Sequence, residues 1–220
     1  MTHLRPDSQK AAGYGGQALL IATTNPNKIR EIRPLLADLP IDLITLADVA
    51  PVPEPEEHGA TFWANARIKA LAYAAATGHI AVAEDSGLEI DALGGEPGIH
   101  SARFLGASTP YPARFTEIFR RLGSRPRDAR FVTALAVARG SELLFETETS
   151  ITGRIADAPT GDHGFGYDPI FWYPPCRCTT AQLTDAVKSS ISHRARAFRD
   201  LHGFLSTKSA ICLSQNGTIL

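Results

Sequence analysis

Apolar runs bounded by turn-forming residues alternate along the chain with stretches of helical periodicity. The runs at residues 18–22, 41–46 and 80–83 predict short buried strands. Helices are predicted over residues 26–39, 61–77 and 112–122, and a hairpin of two strands is predicted at residues 129–139 and 143–151. Strands that alternate with helices are typical of an α/β fold.

The stretch IAVAEDSG, residues 80–87, places two adjacent acids directly after an apolar strand. We expect Ser86 and Gly87 to end this strand, which puts Glu84 and Asp85 at its carboxyl end, where open α/β sheets form ligand crevices. Side chains alternate along a strand, so the two acids should point to opposite sides and only one need enter a site. A simple polar turn is the alternative interpretation, and the long Gly- and Pro-rich continuation favours the functional one.

The turn from the first strand into the first helix is a candidate phosphate site. Asn25 is placed to cap the helix, with Pro26 at its first position. A helix that starts after a strand offers unpaired backbone N–H groups, and threonine hydroxyls with Lys28 add further donors. The spaced glycines of a P-loop are absent, and an ordinary turn with a surface lysine remains the alternative.

The predicted helix over residues 61–77 is rich in alanine and places Phe62, Asn65, Lys69 and Tyr73 on one face. A lysine in the middle of such a face usually extends along the apolar surface towards water. The alternative is a contact between Lys69 and a phosphate group.

Glycines bracket an aromatic residue in the segment from residue 161 to residue 171. A ring between two glycines, such as Phe165, is free to stack on a flat base, because glycine lets the backbone approach a ligand closely. The commoner use of such a ring is to fill the core, and that alternative stays open.

The segment KSSISHR, residues 188–194, precedes an apolar helical face. Ser192 is a plausible helix N-cap, which leaves His193 and Arg194 in the first helical turn. The helix dipole disfavours cations at this end, so two of them there suggest that a ligand explains their placement.

Composition and charge restrict the function classes. The chain has 220 residues, a formal net charge of -1 and a sequence pI of about 6.7, so it lacks the positive field that attracts nucleic acid or membrane surfaces. No apolar run approaches the ~20 residues that span a bilayer. Three cysteines form no disulfide framework, which favours a cytoplasmic location. We expect residues 1–17 to be a flexible leader and residues 18–220 to form one domain.

Five segments together resemble the inosine triphosphate pyrophosphatase family, in matching order over residues 18–205: TTNPNK, GATFWANARIKA, AEDSGLEIDALGGEPGIHSARF, FGYDPIF and KSSISHRARA. The resemblance implies an elongated, mixed and twisted sheet flanked by helices, with two lobes around a central substrate cleft. It further implies a homodimer that requires Mg²⁺. The expected reaction cleaves ITP, dITP and XTP to the nucleoside monophosphate and pyrophosphate.

The resemblance also assigns roles to single residues. It makes Asp85 the catalytic acid, as proton acceptor or metal ligand, with Glu57 as the second metal-binding carboxylate and Ser86 as a substrate contact. The positions that match phosphate binding are Thr23, Thr24, Asn25, Pro26, Asn27, Lys28 and Lys69. Those that match the nucleoside end are Phe165, Gly166, Tyr167, Asp168, Lys188, His193 and Arg194.

Residue chemistry suggests how a purine base is selected, and one departure from the family pattern suggests an alternative function. The fork of Arg194 suits the O6 and N7 acceptors of a keto purine, whereas adenine presents an amino donor there. Ala64 stands where the family generally has Glu, so a supporting carboxylate is missing. A nucleotide-binding or sensing module with weakened catalysis is therefore the alternative to an active pyrophosphatase.

Overall fold

The computed structural model describes residues 18–208. The leader expected at residues 1–17 lies outside the described residues, so that prediction is untested. The strands are β1 Ala18–Ile21, β2 Asp42–Thr45, β3 Ile80–Ile90, β4 Asp128–Arg139, β5 Glu142–Ile155, β6 Phe171–Tyr173 and β7 Cys178–Thr179. The helices are α1 Pro26–Ile32, α2 Phe62–Thr77, α3 Tyr111–Leu122, α4 Asp185–Ile191 and α5 His193–Lys208.

The strands of the described region form one mixed sheet in the order β2-β1-β3-β4-β5-β6-β7. Strand β1 pairs in parallel with β2 and β3, and the remaining neighbours are antiparallel. The long strands β3, β4 and β5 run the length of the sheet and carry most of its pairing. The predicted mixed sheet flanked by helices is therefore confirmed.

Strand β3 does not end where the sequence suggested. It continues through Ser86 and Gly87 to Ile90 and stays paired with β4 throughout. Gly87 permits a close approach here, because a Cβ atom on it would lie 2.4 Å from the carbonyl oxygen of Gly98 and 2.5 Å from Oγ of Ser101. The expected strand break was wrong because this glycine serves packing rather than a turn.

The opposite edge of β3 explains why the two acids still lie at a crevice. Strand β1 pairs with β3 only as far as Val82, where the N–H of Ala22 donates to the Val82 carbonyl at 2.8 Å. Beyond Val82, the only pairing of this edge within residues 18–208 is the isolated bridge between Glu89 and Pro97. The carboxyl end of β1 therefore leaves a gap in the sheet beside Glu84 and Asp85.

Helix α1 is shorter than predicted. It ends at Ile32, and residues 33–35 continue as a 3-10 turn that contains Pro34, whereas the apolar pattern suggested a helix to residue 39. Its predicted start is confirmed, because Oδ1 of Asn25 accepts from the N–H groups of Asn27 and Lys28 at 3.0 and 3.4 Å.

Three apolar clusters divide the molecule into two lobes. In the first lobe, α1 and α5 cover one face of the sheet and α2 covers the other. In the second lobe, α3 packs Phe115 and Ile118 against Leu88 and Ile90 at the far end of β3. The long strands pass through both lobes, and a cleft opens between them.

Within residues 18–208, no helix combines the length and the apolar character that crossing a bilayer demands.

Candidate active site

A cavity of about 260 Å³ opens at the carboxyl end of β1, between the two lobes. All site residues predicted from the sequence line it except Pro26 and Asn27. Those two lie in the first turn of α1, where the N–H of Asn27 is bonded to the capping side chain of Asn25. The fold thus brings together segments that are far apart in the chain.

The alternation of side chains along β3 determines which groups meet each acid. Asp85 points to the α2 side of the sheet, where its neighbours are Asn65 and Lys69. Glu84 points to the α5 side, where it meets Arg194. The predicted opposite orientation is confirmed, but both acids line the cavity because it lies at the open edge of β3.

On the α2 side, a lysine joins two carboxylates. Nζ of Lys69 lies 2.8 Å from Oε1 of Glu57 and 3.0 Å from Oδ1 of Asp85. Asn65 donates to the other oxygen of Asp85 at 3.2 Å and accepts from the N–H of Gly59 at 2.9 Å, which anchors the loop that carries Glu57. One face of α2 thereby fixes both acids relative to each other.

Burial and charge oppose each other in this cluster. Burial lowers the pKa of Lys69, but the carboxylates of Asp85 and Glu57 outweigh it and raise that pKa above its ordinary value. Burial raises the pKa of Glu57, but Lys69 and Arg103 outweigh it and lower that pKa. Lys69 is 8% exposed and faces the acids, so the interpretation of a lysine reaching for water is wrong.

The residues present fit a hard divalent cation. An ammonium group held between Glu57 and Asp85 shows that the spacing of their oxygens suits a cation. No group of three or more His, Cys, Asp or Glu side chains suited to a metal occurs in the described part of the chain. Mg²⁺ is commonly held by only one or two carboxylates, with waters and substrate phosphates completing its octahedron.

On the α5 side, Arg194 lies between the buried carboxylate of Glu84 and the partly buried carboxylate of Glu31. Its Nε donates to Glu84 at 2.9 Å, its Nη1 donates to Glu31 at 2.6 Å, and its Nη2 donates to Oγ of Ser86 at 3.1 Å. Lys28 completes this group with a contact of 3.0 Å to Glu84. The arginine fork is thus engaged by protein groups, and its role in base selection stays a prediction.

The ion pairs continue from Glu31 to the glycine-rich loop. Nζ of Lys188 lies 2.8 Å from Oε1 of Glu31 and also contacts the carboxylate of Asp168. Asp168 in turn accepts from the hydroxyl of Thr180 at 2.7 Å and from the N–H of Phe165 at 2.7 Å. A continuous set of alternating charges therefore links α1 to the loop.

Ionisation of these acids depends on their partners. Burial opposes the charge of Glu84, but Arg194 and Lys28 outweigh it and lower its pKa to about 2. The same balance lowers the pKa of Glu31, where Arg194 and Lys188 outweigh burial. Buried charges are stable only when they are paired, so removing one of these side chains would leave its partners buried without an opposite charge.

Phe165 lies on the cavity and not in the core. Its ring centroid is 5.1 Å from Nζ of Lys188 and 5.3 Å from the central carbon of the Arg194 guanidinium. Gly164 has a φ of +72°, and a Cβ atom on it would lie 2.1 Å from Oδ2 of Asp168. The glycine thus allows the loop to close on Asp168, and the half-buried ring faces the cavity.

His193 combines a fixed ring with an unsatisfied nitrogen. Oγ of Ser192 accepts from the N–H of Ala195 at 3.1 Å, which confirms the predicted cap. The imidazole stacks on Phe131 at 4.8 Å, and its Nδ1 is buried with no hydrogen-bond partner in the described region. Burial and the charge of Arg194 hold its pKa well below 6.5. The ring is therefore neutral at pH 7, and the expectation of two cations in this turn was wrong.

The model of the Ham1 family matches residues 19–204. The chain belongs to the Ham1 family.

Relatives and solved structures agree with this membership over most of the chain. A dITP/XTP pyrophosphatase from an Exiguobacterium species is 42% identical over 184 residues, which are 83% of this chain and 94% of that protein. Another from Thermus thermophilus is 45% identical over 188 residues, or 84% and 90% of the two chains. The structure of a Ham1 protein from Coxiella burnetii matches with a TM-score of 0.81 and 36% identity, covering 87% of this chain and 99% of that one. These findings confirm the resemblance inferred from the motifs.

Some residues of this Ham1 site were missed by sequence reasoning. Glu31 stands three positions after Lys28 on α1, so helical spacing could have revealed it. Phe131 belongs to the predicted hairpin, to which no site residue was assigned, and it lines the cavity. Tyr111 and Arg103 also line the cavity, and local pattern alone carries no signal for their position.

Proposed function

We propose that this chain hydrolyses dITP, XTP and ITP to the nucleoside monophosphate and pyrophosphate. The observation that carries the proposal is the pairing of an acid cluster, Glu57 with Asp85, and an aromatic and basic group around Phe165 in one cavity. A nucleoside triphosphate has a phosphate chain and a flat base, so its binding site needs both of these groups. The names of the relatives, dITP/XTP pyrophosphatases at 42% and 45% identity, support the same reaction.

The nucleoside end offers flat surfaces and directed polar groups. Phe165 presents a ring over which a purine can stack, and the stacked pair of His193 and Phe131 forms a second flat surface on the cavity. The unpaired Nδ1 of His193 lies buried beside this surface. These features favour a purine nucleoside over a peptide or a polyanion.

The acid cluster is the proposed site of phosphate chemistry. Glu57 and Asp85 would hold Mg²⁺, which supplies positive charge to the phosphates and lowers the pKa of a bound water. Lys69 contacts both carboxylates, at 2.8 Å from Glu57 and 3.0 Å from Asp85, and Asn65 orients Asp85 through its 3.2 Å hydrogen bond. The oxygen of a water adds to the α-phosphorus, Asp85 accepts its proton, and the bond to the bridging oxygen breaks to release pyrophosphate.

Three further properties belong to the same proposal. A homodimer is expected from the family resemblance, and a cytoplasmic location agrees with the cysteine content. The net charge of -1 favours a small-molecule substrate and gives no reason to expect nucleic acid or membrane partners.

The alternative of a sensing module rests on Ala64, and the geometry around that residue gives it little support. The cavity does not include Ala64, which packs beneath Gly59. Glu57 and Asp85 still face each other through Lys69 without a carboxylate at position 64. Active hydrolysis is therefore the function that the site supports best.

The test is the release of pyrophosphate and phosphate from dITP, XTP, ITP, GTP and ATP by the purified chain, with and without Mg²⁺. We expect Mg²⁺-dependent release of pyrophosphate from the first three and a much lower kcat/KM for ATP and GTP. Replacing Asp85 with Asn should lower kcat by more than a hundredfold, because the proton acceptor and one charge are lost, while nucleotide binding remains measurable.

Asp48→Asn is the matched control, since Asp48 caps residues 45–48 far from the acid cluster and should leave kcat unchanged. Orthophosphate as the first product would place the attack at the end of the triphosphate and contradict the proposal. Near-normal kcat in the Asp85→Asn protein would remove that residue from catalysis.

A further inference from the structure

Arg103 lies on a short segment that is firmly attached to β3. Residues Gly98–Arg103 form a 3-10 helix directly after the glycine-rich turn. Oγ of Ser101 donates to the Gly98 carbonyl at 2.6 Å and accepts from the N–H of Leu88 at 2.9 Å. The close approach of Gly87 brings this segment against the strand that carries Asp85.

The side chain of Arg103 reaches the acid cluster and keeps most of its donors free. Its Nη1 donates to Oε2 of Glu57 at 2.9 Å, and this is its sole hydrogen bond within residues 18–208. The side chain is 40% exposed and lines the cavity. A guanidinium has five N–H donors, so four remain available at the mouth of the cleft.

A second arginine nearby shows what a purely structural arginine looks like in this fold. Arg114 is 2% exposed and donates to backbone carbonyls, among them those of Ser101 at 2.8 Å and Thr109 at 3.0 Å. All its nitrogens are engaged, because Nη1 donates to the segment before Arg103 while Nε and Nη2 donate to the loop after it. Arg103 differs in every respect, because it is exposed, sparsely bonded and directed at the cavity.

We propose that Arg103 binds the two terminal phosphates of the substrate, which leave together as pyrophosphate. This inference rests on the proposed function, which places the terminal phosphates beside Glu57 and Asp85. A guanidinium fork matches two phosphate oxygens, and the distance between Arg103 and Glu57 puts that fork at the acid cluster. The side chain would exchange its single carboxylate contact for phosphate oxygens.

Charge balance in the cluster favours this assignment. Without substrate, the carboxylates of Glu57 and Asp85 face the cations of Lys69 and Arg103. Lys69 is buried between both acids, so it is held in place. Arg103 is the more exposed cation and contacts one acid only, which leaves it free to follow an arriving anion.

The experiment measures binding of inorganic pyrophosphate and of IMP by calorimetry, at saturating Mg²⁺, to the wild type and to Arg103→Ala. We expect pyrophosphate affinity to fall roughly tenfold to a hundredfold, since charged hydrogen bonds are lost. IMP affinity should stay within about twofold, because it lacks the two terminal phosphates. Arg103→Lys should bind pyrophosphate with intermediate affinity, as it keeps the charge but not the fork.

Arg67→Ala is the matched control. Arg67 is also half-exposed and paired with a glutamate, Glu146, but it lies outside the cavity. It should leave both affinities unchanged. A separate titration with Mg²⁺ alone tests whether Arg103 merely holds Glu57 in place, in which case Arg103→Ala would weaken Mg²⁺ binding.

Unchanged pyrophosphate affinity in Arg103→Ala, or an equal loss for IMP, would overturn the proposal. Weaker Mg²⁺ binding together with weaker pyrophosphate binding would also overturn it in favour of the structural role. If the wild type binds pyrophosphate through Arg103 but hydrolyses none of the nucleotides, only the proposed function fails.

Discussion

At the scale of single residues, this site depends on how each buried ionisable group is compensated. Glu84 and Arg194 remain charged because each faces an opposite charge in the protein interior. In the described part of the chain, no carboxylate pairs with the ring of His193, so burial keeps it neutral. The same environment therefore stabilises charge on some side chains and suppresses it on their neighbour.

The neutral state of His193 predicts a pH dependence of stability. The unfolded chain binds a proton at this residue near pH 6.5, whereas the folded chain resists it, so stability is lost as pH falls below 6.5. Between pH 7.5 and 5.5 the wild type should lose more unfolding free energy than His193→Gln. Urea unfolding at both pH values measures this difference.

His163→Gln serves as the control for that comparison, because His163 is exposed and does not line the cavity. It should follow the wild type at both pH values. An equal loss in the wild type and in His193→Gln would show that His193 is not the group responsible.

At the scale of elements, the decisive contact is that between β3 and the 3-10 helix Gly98–Arg103. Side-chain alternation along β3 sends Glu84 and Asp85 to opposite faces, and the gap left by the end of β1 exposes both. The helix Gly98–Arg103 then closes one side of the cavity with Arg103. Gly87 makes that contact possible.

Gly87→Ala should therefore lower the free energy of unfolding and also disturb the active site. An added Cβ atom would meet the Gly98 carbonyl at 2.4 Å, so the segment must shift. We expect a loss of about 1–3 kcal/mol in unfolding free energy, as for other overpacked sites. Denaturant unfolding and the KM for dITP check the two effects.

Gly203→Ala is the control, and it should not lower the free energy of unfolding as Gly87→Ala does. Gly203 lies in α5, and within residues 18–208 a Cβ atom there would have no neighbour closer than 4 Å outside the backbone of its own helix. Its replacement should be neutral or stabilise the protein by up to about 1 kcal/mol, because alanine favours helix. An unchanged free energy of unfolding in Gly87→Ala would mean that the contact is less restrictive than the distances indicate.

At the scale of the whole molecule, the ion pairs connect parts of the chain that are distant in sequence. Glu31 on α1, Glu84 on β3 and Arg194 on α5 meet in the first lobe, and Lys188 extends the connection to Asp168 beside the second. Glu31 and Glu84 therefore share Arg194 as a common partner, and Glu31 and Asp168 share Lys188.

Acid should unfold the protein partly through Glu84. Its folded pKa of about 2 lies below the ordinary 4.5, so the stability it contributes is present above pH 4.5 and is lost as pH falls towards 2. The shift corresponds to about 3 kcal/mol. In thermal unfolding, Glu84→Gln should be less stable than the wild type at pH 7, and the difference should shrink as pH falls through this window.

Glu117→Gln is the control, because the pKa of Glu117 is also lowered to about 2 by Arg120 and Arg121, but on an exposed helix face. Solvent screening should leave little stability to lose there. A constant difference between the wild type and Glu84→Gln from pH 7 to pH 3 would contradict the role of Glu84.

The sequence alone determined which segments carry the chemistry and most of the secondary structure. Local signals sufficed for the caps Asn25 and Ser192, the bounds of α2 and the hairpin β4–β5, because caps and periodicity act over a few residues. The ordered motifs likewise indicated the family before any geometry was available, and the family model confirmed it.

Only the tertiary structure decided how those segments meet. Whether Gly87 breaks a strand or admits a neighbour depends on the Gly98 carbonyl, which lies eleven residues further along the chain. Likewise, the charge states of His193 and Glu84 depend on burial and on partners from other elements. Local sequence pattern gives neither the distance between remote residues nor their dielectric environment, and for that reason Arg103 emerged as a site residue only in the folded chain.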